Sequence, residues 1–431
     1  MKKLYLEFIR GAAAITVLIY HFLELRTLSG HSKHFYFGNW GTDAVILFFI
    51  LSGVVINISQ TNNPKQKQQF IGNRLIRLYP QFTMGLLLGL LVLYITQSAI
   101  PSFGVIAGNF LMISAVKGYM VNIVPGIESN SPLWSLSYEI VFYLLFALAI
   151  GRYQKKAMGY WLILSIAAMP FYYLQIGPDV FKHFIAVLSF SSIWLVGYYV
   201  YQYRNYFYAD KYAALFSAGV LPLISRMHIS HIYYDPAKYL LFALFSIPFF
   251  RYCLQLPNAG KKINWYYMAA PYLFVVYAVF NQPYLTFTNF AVYSFLPIGL
   301  MAAGFLISVL NFKDRVIRFI NTSGRLLGKY SFSVYVMHYP VLFFCAAFFH
   351  NTLLNLLVSL SCIALIAYSL ENYLQPAVIS YFKRLKVSQL VPAENSLRTW
   401  PGNNMKMVFL KRIILPLIAA VSWLLLFPFD K

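Results

Sequence analysis

The sequence predicts an all-α polytopic membrane protein, a bundle of about ten to thirteen transmembrane helices. Three observations carry this expectation. Of the 431 residues, 60% are hydrophobic and only 11% are charged, whereas a soluble domain carries about a quarter of its residues as charges. Mean hydropathy is +0.63 over 49.6 kDa, too little polar surface to coat a globule of that size. The charge is lopsided, 34 Lys and Arg against 12 Asp and Glu, formally +22; on a membrane protein that marks basic loops on one side. An ordinary cytosolic enzyme, a disordered chain and a nucleic-acid-binding domain are all excluded. Cys253, Cys345 and Cys362 lie singly in apolar runs, so neither a disulfide frame nor a metal site is expected.

A helical span needs roughly 20 apolar residues. The runs that qualify are 5–24, 42–60, 79–97, 132–151, 158–176, 183–203, 237–254, 264–280, 290–311, 330–349 and 352–374. A shorter run at 212–225 is a further candidate, and 408–427 reads as one last helix. The stretch 103–116 is apolar but short, suited to lying on or dipping into the membrane. Lys2 and Lys3 precede the first span and no small-residue cleavage region follows it, so it reads as a retained helix.

With the N-terminus in the cytoplasm, the inside segments hold 25 of the 34 Lys and Arg and the outside segments seven. Arg10 and Arg251 stay within or at the edge of helices. That asymmetry favours a cytoplasmic N-terminus. It also favours counting 212–225 as a crossing, since dropping it would invert every later loop. Around 383–407, Pro392, Pro401 and Gly402 with several basic residues mark a cytoplasmic linker ahead of 408–431.

Ionisable groups inside spans are costly and are functional candidates by default. The first helix, LEFIRGAAAITVLIYHF, carries Arg10 and His21. Eleven residues apart, they fall within about 20° of one another around the helix and about 16 Å apart along it. A snorkelling arginine and a histidine bonded to a neighbouring carbonyl form the structural alternative. Asp43 opens the second span at the depth of His21; it either orients that imidazole or caps its own helix. Arg74 and Arg77, three apart, suit a phosphate-rich ligand, a lipid headgroup or simple topology setting. In NSPLWSLSYEIVFYLL, Ser131 is a good N-cap and Pro132 suits the first helical position. Ser135, Glu139 and Tyr143 then share one face, and Glu139 calls for an arginine or histidine from another helix. Ser331, Tyr335 and His338 share a face in YSFSVYVMHYPVLFF, where Pro340 frees the carbonyl of Val336. His338 either satisfies that bent backbone or takes part in chemistry. Glu371 is expected to pair with a basic loop residue.

Five stretches, FIRGAAAITVLIYHF, GTDAVILFFILSGVVI, RLIRLYPQF, SPLWSLSYEIVFYLL and YSFSVYVMHYPVL, occur in this order. Together they resemble the membrane-bound acyltransferase-3 family, which includes O-acetyltransferases of bacterial surface polysaccharides. The resemblance spans residues 1–382 and implies an inner-membrane enzyme. It would move an acyl group, usually acetyl, from cytoplasmic acetyl-CoA to a hydroxyl of a polysaccharide or lipid-linked glycan. No metal is implied. His21 and Arg10 match the family's central pair, and Asp43, Arg74, Arg77, Glu139 and His338 match further positions; Ser135 and Trp134 lie in a matching stretch. The family's usual Glu-basic-Pro ending is spread here over Glu371 to Pro376. No GDSL-type esterase domain follows, so the chain is expected to finish the transfer itself or pass the group to a partner. The rival reading is a transporter or flippase for lipid-linked sugars. It would predict a twofold internal repeat, and none is visible.

The charge pattern yields a direct test. Cysteines introduced within 61–78 and 383–406 should resist an impermeant thiol reagent on intact cells and react after lysis; ready labelling of either loop in intact cells would overturn the topology.

Overall fold

The computed structural model describes residues 2–28, 40–114, 124–227, 234–254, 260–282, 287–310 and 313–390. Helices α1 (Lys2–Leu28), α2 (Trp40–Asn62) and α3 (Lys67–Ile95) are followed by the short α4 (Phe103–Phe110). A 3₁₀ turn, Glu128–Leu133, leads into α5 (Trp134–Ala149), α6 (Gln154–Leu174) and α7 (Asp179–Gln202). Beyond strand β1 (Phe207–Ala209) come α8 (Lys211–Ser225), α9 (Pro236–Phe245) and α10 (Ile247–Cys253). Strand β2 (Lys261–Ile263) precedes α11 (Ala269–Phe280), α12 (Phe287–Val309), α13 (Lys313–Phe348) and α14 (Thr352–Ser369). A π turn, Leu370–Leu374, joins α14 to α15 (Gln375–Leu390). Among the described residues nine helices are long and apolar enough to cross a membrane. The protein is a nearly all-helical polytopic membrane protein, with Cys253, Cys345 and Cys362 buried and unbridged.

Several boundaries move for identifiable reasons. The expected span 237–254 is two helices broken at Ser246, whose hydroxyl bonds back to Ala243 O at 2.6 Å just ahead of Pro248. Helix α5 begins at Trp134 without a side-chain cap, because Ser131 and Pro132 belong to the 3₁₀ turn. The eight residues of α4 extend only about 12 Å, too short to cross. The expected linker at 383–407 starts as helix, with α15 continuing to Leu390. Its remainder and the expected helix at 408–427 lie outside the described residues. The two three-residue strands, which hydropathy does not reveal, pair in parallel through Phe207 and Lys261. Asp210 closes this corner, accepting from Ala213 N at 2.9 Å and pairing with Lys262 at 2.7 Å. Burial works against its charge, but these donors outweigh that and hold the carboxyl below its ordinary range.

Helix α13 runs parallel to α1 along the length of α1. Gly324 meets Leu4, Gly11 meets Leu327 and Gly328 meets Glu7 at one end. His21 meets His338 midway, and Arg26 reaches Phe349 and His350 at the other end. Small residues permit this approach, as expected for helices in lipid. The parallel course also settles a question of parity. Counting only the long apolar helices, α13 would be the eighth crossing and antiparallel to α1. Adding α8, the broken α9–α10 pair and α11 makes it the eleventh, which runs the same way as the first.

A second close pair is α2 on α7. A Cβ on Gly53 would strike the carbonyl of Trp194, and one on Gly197 would strike the carbonyl of Ile50. Asn57 seals the pair by donating to Tyr198 O at 2.8 Å. Gly197→Val should therefore lower the thermal midpoint of the detergent-solubilised protein, at a cost of about 1–3 kcal/mol or more. Gly72→Ala is the control: its Cβ meets nothing within 4 Å, so the midpoint should hold or rise.

Candidate active site

A cavity of about 1110 Å³ opens between α1, α2, α3, α5 and α13. Its wall collects Arg10, Arg74 and Arg77, the three arginines singled out by sequence, and adds Arg325 and Lys329 from α13. Three acids, Glu7, Glu139 and Glu371, face the same space, and α2 supplies an apolar side through Phe48, Leu51 and Val55. Arg10 donates to the carbonyl of Gly328 across the α1–α13 contact. Lys329 donates to Asn372 at 2.5 Å. Arg74 lies over the rings of Phe70 and Tyr143 at 5.5 and 5.4 Å. Among the described residues, Arg74, Arg77 and Arg325 have no carboxylate within salt-bridge distance. Five cationic side chains against three carboxylates leave the wall net positive, and guanidiniums gathered there without a salt-bridge partner form a site for a polyanion.

Ser135, Glu139 and Tyr143 all face the cavity, as their spacing along α5 predicts. The expected partner of Glu139 is corrected. Its hydrogen bond comes from Tyr143, one turn along the same helix, and not from an arginine or histidine of another helix. Tyr143 OH also meets Ser52 Oγ at 3.2 Å, and Trp194 Nε1 donates to that hydroxyl at 3.2 Å. A neutral network thus holds the carboxylate against the cavity.

The inner wall is made by Ser135 and Tyr335. Tyr335 OH donates to Pro132 O at 2.7 Å, so the 2.6 Å contact with Ser135 must be donated by the serine. The Tyr335 ring stands 5.8 Å from that of His338, which lies 5.3 Å from the ring of His21. Neither histidine belongs to the cavity wall. His338 is fully buried and donates from Nδ1 to Tyr335 O at 2.7 Å, leaving Nε2 as an acceptor with no partner among the described residues. His21 Nδ1 meets Glu24 Oε2 at 2.7 Å. An ionised Glu24 requires the proton on Nδ1 and leaves Nε2 basic, the tautomer that a general base needs. Tyr339 abuts His21 edge-on, with ring centres 4.9 Å apart.

The carbonyl of Val336 freed by Pro340 is taken by a residue the sequence did not suggest. Asn130 Nδ2 donates to Val336 O at 3.2 Å and to Gly85 O at 3.0 Å, while Ser129 donates to Gly89 O at 2.8 Å. The 3₁₀ turn is therefore stitched to α3 and α13, which fixes Ser135 against Tyr335.

Two sequence candidates stand apart. Asp43 lies at the expected end of α2 but turns to α8, accepting from Ser225, with Lys238 and Arg226 as the nearby charges. Glu24 holds the place beside His21 that one of the two readings gave to Asp43. Trp134 packs among Phe49, Tyr138 and Tyr234 and does not line the cavity. The expected basic partner of Glu371 is also corrected: it accepts from Gln81 at 3.0 Å and Ser333 at 2.9 Å. Glu24 was readable in principle, three residues after His21 on one helix face. Arg325 and Lys329 were visible only as loop charge, because α13 extends well before the apolar run. Among the described residues no group of His, Cys, Asp and Glu could hold a metal.

A family model described as an acyltransferase domain matches residues 3–370. No curated protein and no solved structure matches the chain.

Proposed function

The chain belongs to this acyltransferase family, and on that premise we propose that it moves an acetyl group from cytoplasmic acetyl-CoA to a hydroxyl of a cell-surface polysaccharide or lipid-linked glycan in the bacterial inner membrane. The observation that carries the proposal is the cavity itself, cationic where α3 and α13 begin and ending at the Ser135–Tyr335 wall, behind which His338 and then His21 follow ring to ring. Coenzyme A is an extended polyanion with a neutral pantetheine arm. Arg74, Arg77 and Arg325 suit its phosphates, and the apolar side of α2 suits the arm.

His21 is the base. A sugar hydroxyl is a weak nucleophile near neutral pH and needs its proton removed as it attacks. That proton passes to His21 Nε2, the hydroxyl oxygen bonds to the acetyl carbonyl carbon, and the carbon–sulfur bond breaks. The imidazolium then returns the proton to the departing thiolate. Glu24 holds the ring through Nδ1 and steadies the imidazolium while it lasts. Arg10 lies about 16 Å from His21 along the axis, so it serves the donor's end of the cavity and not the same tetrahedral centre.

Mass spectrometry of surface glycans with and without the chain should show an acetyl group that disappears with it. His21→Gln keeps a hydrogen-bonding side chain but cannot take the proton, and should cost about 10²–10⁴-fold in transfer rate. Arg10→Lys should also fail if a planar, forked donor is needed, and survive if positive charge alone suffices. Near-parental transfer by purified His21→Gln protein would remove the histidine from the chemistry.

The cation cluster makes a separate kinetic claim. Arg74→Gln and Arg77→Gln should each raise the KM for acetyl-CoA with little change in the acceptor KM. Loss of membrane insertion with unaltered kinetics in the inserted fraction would assign both arginines to topology alone.

A further inference from the structure

A second cavity of about 490 Å³ adjoins the first where α3 meets α15. The two share Arg77 and Glu371 in their walls, so one arginine and one carboxylate stand at the seam between them. Glu371 sits on the π turn, a local bulge that recurs at functional sites. Ser333 and Gln81 hold its carboxylate at 2.9 and 3.0 Å. The single hydroxyl proton of Ser333 is shared between Glu371 and Gln81 Oε1, which lies 2.8 Å away, and Gln375 donates to Ile76 O at 3.1 Å. The floor of the second cavity is therefore a fixed array of carboxamides.

Its rim is different. Arg77 and Asn73 are exposed, and neither side chain has a hydrogen bond among the described residues. Phe382 is 40% exposed, in ring contact only with its neighbour Tyr381 among the described residues. Ile76, Pro376 and Ile379 add apolar wall beside Phe382, and Asn73 leaves a carboxamide free at the rim; a flat apolar slot with an open aromatic face, an amide at its edge and an arginine at its exit suits a nucleobase. The volume lies in the ~300–1,000 Å³ range of small-molecule pockets.

We propose that this second cavity holds the adenosine end of the donor, with the diphosphate crossing the seam at Arg77 and the pantetheine arm entering the larger cavity toward Ser135 and Tyr335. The assignment rests on the acyl-CoA reading above and adds an orientation to it. It accounts for Arg77 facing both spaces. It also gives Phe382 and Asn73, which lie outside the catalytic machinery, a part in donor affinity.

The test is calorimetric titration of the full-length protein in detergent with two probes, CoA and 4′-phosphopantetheine, the fragment lacking adenosine. The parent protein should bind CoA more tightly than the fragment. Phe382→Ala should weaken CoA about tenfold, the order expected for a lost base–aromatic stack, and leave phosphopantetheine affinity unchanged; Asn73→Ala should act in the same direction. Unchanged fragment binding shows at once that the variants are folded. Equal affinity of the parent for both probes, or CoA binding indifferent to Phe382→Ala, would overturn the adenosine site and leave the donor reading intact. Loss of both probes together in the variants would overturn it as well. A parent protein that binds neither probe would overturn the donor reading and this inference with it.

Discussion

Polar groups inside a bilayer must find partners within the protein, and in this molecule the helix pair that meets the demand is α1 on α13. Arg10 gives its guanidinium to the carbonyl of Gly328. Arg26, buried, donates to Phe349 O at 3.0 Å, His350 O at 2.5 Å and Thr352 Oγ1 at 2.9 Å, so it closes the carbonyl end of α13. A cation there is favoured by the helix dipole as well as by the bonds. Between these two anchors His21 has no choice but to face His338. The register of the two helices is thus set by charges that would be intolerable if the helices slid, and the histidine pair inherits its geometry from that register. Arg251 repeats the device at the end of α7, donating to Arg204 O at 2.6 Å.

The arrangement separates two tasks along one axis. Near the start of α1 the cavity is broad, cationic and open to a large anion. Towards the other end the polar groups are few, closely packed and mostly neutral, and each proton position follows from its partner. Glu24, His21, His338, Tyr335 and Ser135 form a sequence of contacts from the far side of α1 back to the cavity wall. Charge binds at one end, and proton positions are fixed at the other.

Much of this was legible in the residues because hydropathy and helical spacing are local properties. The face shared by Ser135, Glu139 and Tyr143 follows from intervals of four, and it does line the cavity. Depth was legible too: Asp43 stands at the expected end of α2. Direction around the axis was not, because it depends on which helix packs alongside; α8, not α1, receives Asp43. The same limit explains Glu371, whose partners come from α3 and α13. Arg325 and Lys329 counted only as loop charge for another reason. Hydropathy sees only the lipid-facing part of a helix, and α13 begins at Lys313, well before its apolar run.

Asn130 and Pro340 are far apart in sequence, yet each makes sense only in the presence of the other. A proline inside α13 strands the Val336 carbonyl, and Asn130 takes it while also holding Gly85. Replacing the proline alone would return that carbonyl to its own helix and leave the asparagine competing for it. Losing the asparagine alone would bury an acceptor without a donor. The effects of the two changes therefore cannot add. In a set of descendants of this sequence, the two sites would be inherited as a linked pair, substituted together or not at all.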